Sequence, residues 1–139
     1  MYQSEEEILQ IVNGFKDRTL VKSQWTHEAH LVTALWHHKM DSAHEAICYL
    51  RSGIILFNES TGRKNTPNDG YHETLTLFWC KVVGDFASSH PTLPLVQLCN
   101  AFLRSGQASK DLPLKFYSME VLFSVEARAT FVKPDLLPG

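Results

Sequence analysis

Hydrophobic residues recur at helical spacing along most of the chain. After Ser4, the residues Ile8, Ile11, Val12 and Phe15 fall on one face of a helix. The same pattern predicts five longer helices and one or two short ones, at about residues 4–15, 26–39, 42–57, 71–87, 94–105 and 118–130. No segment alternates apolar and polar residues as a half-buried strand does. The pattern therefore predicts an all-α fold, a single-domain four- to five-helix bundle over residues 1–139 with a short helical C-terminal segment.

Polar residues mark where these helices begin and where the pattern breaks. Ser4 with Glu7 and Ser42 with Glu45 have the spacing of capping boxes. Residues 58–70 contain two Gly, one Pro and no large apolar side chain, which predicts a loop. With thirteen residues this loop exceeds most helix connections, so it is a candidate binding loop or lid.

Composition and charge narrow the class of protein. The 139 residues carry 13 basic and 15 acidic side chains, a net charge of −2, and no basic stripe of the kind that binds nucleic acid. No apolar run reaches the length of a membrane span, and the acidic N-terminus is unlike a targeting peptide. The three cysteines lack metal-ligand spacing and are expected to be buried thiols. We therefore expect a cytoplasmic protein with neither a nucleic-acid nor a membrane partner.

The histidines supply the first chemical indication. Five of seven fall between positions 27 and 44, and His27, His30, His37 and His38 occupy one arc of about 100° on the second helix. His27 and His30 are separated by about 4.5 Å along the axis, whereas His30 and His37 are about 10.5 Å apart. One metal ion therefore cannot collect both ends of the row. The spacing of His27 and His30 is i, i+3, which differs from the i, i+4 spacing of the zinc-protease helix.

Bundle topology brings a third histidine into the argument. In an up-down-up bundle the second and fourth helices run parallel, so both begin at the same end. His72 lies at the start of the fourth helix, on its apolar stripe, and the 58–70 loop enters at that end. His27, His30 and His72 are therefore predicted to converge beneath the loop, with Glu73 beside them.

Three convergent histidines suit several kinds of chemistry. They can ligate a divalent first-row metal such as zinc and leave a position open for water or substrate. They can act as catalytic acids or bases, or assist two helix N-termini in binding an anion. The alternative is structural, with histidines that cap helices and hydrogen-bond the backbone.

Eight further residues are candidate ligand-binding groups, two of them, Tyr117 and Arg128, in the C-terminal segment that must pack back on the bundle. They are Trp25, Glu28, Asn58, Asn65, Tyr71, Glu73, Tyr117 and Arg128. Arg128 offers bidentate recognition of a carboxylate or phosphate, with an internal salt bridge as the alternative. For the aromatic residues the alternative is packing, and for the asparagines it is turn formation.

The motifs resemble those of a known family. Trp25-Thr26-His27-Glu28-Ala29-His30-Leu31 and Gly70-Tyr71-His72-Glu73-Thr74 are similar to the W-T-H-x-A-H-L and G-Y-H-E-T patterns of small, uncharacterised bacterial all-helical proteins. The resemblance continues through Asn65-Thr66, Phe116-Tyr117-Ser118, Glu126-Ala127-Arg128 and Pro134-Asp135-Leu136, and covers residues 20–137. It implies a free-standing bacterial protein and carries no activity or cofactor with it.

The sequence thus supports three functional hypotheses. The first is a small enzyme with His27, His30 and His72 as metal ligands or acid–base groups. The second is a metal-free pocket for a small polar or anionic ligand. The third is an interaction protein or homo-oligomer in which the histidines are structural.

Overall fold

The computed structural model describes residues 1–136, which contain seven α-helices. They are α1 (Glu5–Lys16), α2 (His27–Met40), α3 (Ala43–Ser60), α4 (Glu73–Ser89), α5 (Leu95–Arg104), α6 (Met119–Leu122) and α7 (Val125–Ala129). Short 3-10 turns at Lys22–Gln24, Gly106–Ala108 and Leu112–Lys115 lie in the connections. No strand occurs within these residues, and the predicted all-α fold is confirmed.

The helix starts follow the capping residues expected from the sequence. Ser4 accepts a 3.3 Å hydrogen bond from the Glu7 amide, and Ser42 accepts one of 3.2 Å from Glu45. In both cases the glutamate returns a bond to the cap backbone, which completes the capping box. Thr26 caps α2 in the same manner, through the Ala29 amide. These bonds satisfy amides that the first helical turn leaves unpaired.

Helix α2 is central and packs against α1, α3, α4 and α5. It runs parallel to α4: residues early in α2 contact residues early in α4, and later residues of α2 contact later residues of α4. The His27 ring lies 5.1 Å from the Trp79 ring, and further along a Cβ at Gly84 would lie 3.0 Å from Nδ1 of His38. The start of α2 therefore lies beside the early turns of α4, as the up-down-up topology requires.

The long connection begins later than the sequence pattern indicates. Residues 58–60, predicted as loop, are the last residues of α3, which ends when the Thr61 amide bonds the Phe57 carbonyl at 3.1 Å. Asn58 is buried, so packing holds this polar turn in helical form. The segment between α3 and α4 is residues 61–72, and it lies at the end of the bundle where α2 begins.

Burial separates the three cysteines. Cys80 and Cys99 are buried thiols, as expected, and burial raises the pKa of each to about 12. Cys48 is exposed, which corrects the expectation for that residue: α3 turns Ala46 and Leu50 toward the core and leaves Cys48 on its outer face.

Within residues 1–136, none of the helices combines the length and apolarity that crossing a membrane would require.

Candidate functional site

A cavity of about 610 Å³ lies at the end of the bundle where α2 and α4 begin. The first turns of these two helices and the last turns of α3 form most of its wall. The 61–72 connection, residues 110–114 and the α6–α7 region close the remaining sides. Its volume is within the range of small-molecule sites.

The cavity brings together seven of the eleven residues singled out from the sequence. These are Trp25, His27, His30, Asn58, Tyr71, His72 and Arg128. The other four lie outside its wall. Glu28 is exposed on the far side of α2 near Tyr2, whose pKa burial and the Glu28 carboxylate raise to about 12. Tyr117 is buried and donates a 2.6 Å hydrogen bond to the Val132 carbonyl.

His30 is a neutral hydrogen-bond acceptor in the cavity wall. Its Nδ1 lies 2.7 Å from the Thr26 carbonyl and must donate to it, so Nε2 carries the lone pair. Burial lowers the pKa of His30 to about 4, and the positive charges of Arg63 and Lys110 act in the same direction. Among residues 1–136, no hydrogen-bond partner occupies Nε2, which leaves it available to a ligand.

His27 shares this side of the cavity. Its Nε2 donates a 3.0 Å hydrogen bond to the Ala108 carbonyl, which ties the start of α2 to the segment after α5. The ring packs edge-on against Trp79 at 5.1 Å. This bond fixes the tautomer, with the lone pair on Nδ1.

Both ring nitrogens of His72 are used in hydrogen bonds to the backbone. It is the N-cap of α4, and its Nδ1 accepts a 3.1 Å hydrogen bond from the Leu75 amide. Its Nε2 donates a 2.6 Å bond to the Leu122 carbonyl. Both ring nitrogens are therefore occupied by backbone groups. Burial lowers the pKa of His72, consistent with a neutral ring in this position.

The geometry does not favour the predicted zinc-type centre. Across the part of the chain that the structure describes, no three His, Cys, Asp or Glu side chains lie close enough together to hold a metal ion. His27, His30 and His72 line one cavity, but His72 has no nitrogen left to offer a metal. A three-histidine centre would require His72 to release one of its two backbone bonds, since ligation uses a single ring nitrogen.

Glu73 and Tyr71 belong to a charged network at the start of α4. Arg51 donates two hydrogen bonds to the Glu73 carboxylate, at 3.0 and 2.7 Å, and Tyr71 donates a third at 2.6 Å. The Arg51 bonds hold the pKa of Glu73 below its usual range, and burial raises that of Tyr71. Glu73 therefore joins α3 to α4 outside the cavity, while the Tyr71 ring lines it.

Asn65 organises the 61–72 connection from within. Its Oδ1 accepts hydrogen bonds from Asn58 Nδ2 at 3.0 Å and from the Tyr71 amide at 2.9 Å, and its Nδ2 donates to the Ile55 carbonyl at 3.1 Å. The predicted ligand role of Asn65 is therefore replaced by a structural one. Asn58 lines the cavity, but its side-chain amide donates one hydrogen bond to Asn65. These bonds attach the connection to α3, whereas a mobile lid would lack such attachments.

Arg128 anchors the same connection from the C-terminal side. Its NH1 donates a 2.9 Å hydrogen bond to the Gly70 carbonyl. The internal salt bridge weighed for Arg128 does not form, since no carboxylate in residues 1–136 lies within ion-pair distance. Its guanidinium keeps further N–H donors that no described residue uses.

Three cationic residues at the cavity are not among the sequence candidates. Lys22, Arg63 and Lys110 line it from three separate connections, and all three are exposed. The signal available in the sequence was topological. In an up-down bundle, the connection after α1, the one after α3 and the segment after α5 all lie at one end, and each carries basic residues.

The Trp25 indole contributes an unpaired donor at the wall. Its ring lies between Phe15, at 4.5 Å, and His30, at 3.9 Å. The indole Nε1–H is buried, and no acceptor for it lies within the described residues. A buried donor without a partner costs about 1–3 kcal/mol. An acceptor that reached this group would recover that free energy.

Known proteins give no further guide to this site. Comparison with protein-family models, with curated proteins and with solved structures finds no match for the chain, so the family resemblance stays a prediction.

Proposed function

We propose that the cavity binds a small organic anion without the help of a metal ion. The observation that carries this proposal is the charge around the cavity. Lys22, Arg63, Lys110 and Arg128 line it together with the carboxylate of Asp111. Arg63 is paired with Asp69, whereas Lys22, Lys110 and Arg128 form no ion pair within residues 1–136, so three cations remain at the cavity although the whole chain has a net charge of −2. Positive charge concentrated at a cleft raises the local concentration of anionic ligands and strengthens their binding.

The histidines support binding more than catalysis. His30 presents an unprotonated Nε2, which can accept a hydrogen bond from a hydroxyl, an amide or a protonated acid on the ligand. With a pKa of about 4 it is a weak base, far from the value near the working pH that general-base catalysis needs. Of the three candidate catalytic histidines, His27 and His30 retain a free lone pair, and His72 does not.

A thermal-unfolding screen tests the proposal. Organic carboxylates and sulfonates, each paired with its neutral amide or alcohol, are added in excess to the wild-type chain. A ligand at about one hundred times its Kd stabilises the folded state by about 2.7 kcal/mol, which raises Tm by several degrees in a domain of this size. We expect anions to raise Tm and their neutral counterparts to leave it unchanged.

The variant Lys22→Gln/Lys110→Gln supplies the site-specific arm of this screen. Both lysines are exposed, and neither forms an ion pair with a described residue. Lys115→Gln/Lys133→Gln removes the same charge from exposed positions outside the cavity. A Tm gain lost equally in both variants, or shown equally by neutral ligands, would contradict an anion site in this cavity.

Self-association, the alternative function, stays a prediction. Several apolar side chains of the α6–α7 region and the residues after it are about half exposed or more, namely Met119, Phe123, Val125, Phe131 and Leu136. Sedimentation at several protein concentrations would detect a dimer directly. The anion proposal concerns a cavity within one chain and is independent of that result.

A further inference from the structure

The cavity wall changes from apolar at its depth to cationic at its mouth. Leu31, Leu50, Phe57 and Leu122 line the cavity and are at most 4% exposed. The basic side chains Lys22, Arg63 and Lys110, by contrast, are all exposed. A ligand that fills the space therefore meets hydrocarbon at one end and positive charge at the other.

We infer that the ligand is an amphipathic organic anion, with an apolar body inserted between α2, α3 and α4 and its charged head at the mouth. This inference rests on the anion site proposed above and names the class of ligand that the site takes. The head lies among Lys22, Lys110 and Arg128, where guanidinium and ammonium groups can pair with a carboxylate, sulfonate or phosphate.

The size of the cavity sets the size of the body. At about 30 Å³ for each water-sized group, 610 Å³ corresponds to about twenty non-hydrogen atoms. Inorganic phosphate or acetate would occupy a small part of this space and leave the apolar depth without a partner. Burying apolar surface contributes about 25 cal/mol per Å², and a small polar ion makes no use of that contribution.

Aromatic residues favour a body with flat rings. Trp25, Phe57, Tyr71, Trp79 and Phe123 all line the cavity. The Trp25 ring lies 5.3 Å from the Phe57 ring at an interplanar angle of 51°. Offset and edge-to-face contacts between rings stabilise beyond the area they bury. An aromatic acid would therefore use both the shape and the charge of this wall.

A matched pair of fluorescent probes separates the two parts of the inference. ANS carries a three-ring anilinonaphthalene body with a sulfonate, and N-phenylnaphthylamine has the same body without the charge. Methanesulfonate supplies the charge without the body. We expect ANS to bind with one-to-one stoichiometry and N-phenylnaphthylamine to bind about tenfold more weakly. Methanesulfonate is expected to displace ANS only at much higher concentrations.

Two variants locate the probe at the two ends of the cavity. Ala34→Phe fills the deep wall, where Ala34 is 7% exposed, and should weaken ANS binding about tenfold or more. Lys22→Gln/Lys110→Gln should weaken it roughly four- to tenfold, and Lys115→Gln/Lys133→Gln should not. Val125→Ser, at an exposed position outside the cavity, controls for ANS on surface apolar groups. Circular dichroism checks that Ala34→Phe is folded, and Ala34→Leu replaces it if it is not.

The outcomes distinguish this inference from the proposal on which it rests. If ANS and methanesulfonate bind equally well, the amphipathic inference fails and the anion site stands. If ANS and N-phenylnaphthylamine bind equally well, the cavity takes apolar ligands irrespective of charge, and both fail. Unchanged ANS affinity in folded Ala34 variants would place the probe elsewhere and overturn the inference.

Discussion

His72 donates a 2.6 Å hydrogen bond to the carbonyl oxygen of Leu122, 50 residues later in the chain. The bond joins the start of α4 to the end of α6 at the wall of the cavity. The same ring caps α4 through the Leu75 amide. One side chain thus caps the first turn of α4 and attaches the C-terminal segment to the bundle. These two bonds hold the His72 ring in a buried position and require it to be neutral.

Replacing His72 should destabilise the protein without removing a ligand group. In His72→Ala the Leu75 amide loses its cap, at about 1 kcal/mol, and the Leu122 carbonyl loses its buried donor, at about 1–3 kcal/mol. We expect a total loss of roughly 2–4 kcal/mol in the free energy of unfolding, measured by urea denaturation. His72→Asn should recover part of it, since asparagine is a good N-cap but is too short to reach Leu122.

The two substitutions also test the assignment itself. Equal destabilisation by alanine and asparagine would show that capping contributes nothing at this position. Wild-type stability in His72→Ala would show that neither backbone bond matters, which would reopen the prediction of a catalytic or metal-binding His72.

The helices were predictable because their signals are local. Apolar spacing and the pairs Ser4–Glu7 and Ser42–Glu45 locate α1 and α3 within a few residues, since each capping box is formed within one turn. The start of α4 was placed two residues early. Its cap is a histidine, outside the usual set of Ser, Thr, Asp and Asn, and a contact with Leu122 holds it in place.

The site was predictable only where topology is simple. Parallel packing of α2 and α4 brings His27, His30 and His72 to one cavity, and that followed from the order of the helices. The roles of Asn65 and Arg128 did not follow, because each depends on backbone groups that the fold brings to it, such as the Ile55 carbonyl for Asn65 and the Gly70 carbonyl for Arg128. No spacing rule in the sequence records such contacts.

Elemental analysis tests the metal hypothesis directly. His72 has no free nitrogen, and no cluster of three potential ligands forms within residues 1–136. We therefore expect tag-free protein to contain far less than one equivalent of any divalent first-row metal, and chelator treatment to leave Tm unchanged. Near-stoichiometric zinc, lost on both His27→Ala and His72→Ala, would contradict this and establish the three-histidine centre.

Gly70 should tolerate no side chain. Its φ is +84°, and a Cβ there would lie 2.6 Å from the Lys64 carbonyl oxygen and 2.7 Å from Asn65 Oδ1. Gly70→Ala must therefore move the backbone that accepts the Arg128 hydrogen bond. We expect a loss of about 2–4 kcal/mol in the free energy of unfolding and weaker binding of anionic probes at the cavity.

Gly62 provides a matched control in the same connection. Its φ is +85°, but apart from its own chain neighbours no atom of residues 1–136 lies within 4 Å of the position that a Cβ would take. Gly62→Ala should therefore cost only the conformational strain, about 1 kcal/mol, and leave probe binding intact. Equal losses in the two variants would show that φ alone matters and that the contacts around Gly70 and Asn65 do not organise the site.

Stability should fall as the pH falls from about 6.5 to about 4. Burial lowers the pKa of His30 from 6.5 to about 4, and it lowers those of His37, His38 and His72 as well. Between these values the unfolded chain takes up protons that the folded chain does not, so acidification favours unfolding. For His30 alone the shift corresponds to about 3 kcal/mol. Above about pH 7 neither state is protonated, and the effect vanishes.

Urea denaturation of the wild-type chain and His30→Gln across this range measures the contribution. The glutamine variant should lose less stability between about pH 7 and about pH 4.5, because one titrating group has been removed. Glu73 does not add to the change in stability over this pH range. The Arg51 bonds lower its pKa from 4.5, so its stabilisation is complete above that value and is lost only at lower pH. Parallel pH profiles for the two proteins would show that His30 is not held neutral by burial, and would remove it as the acceptor offered to a ligand.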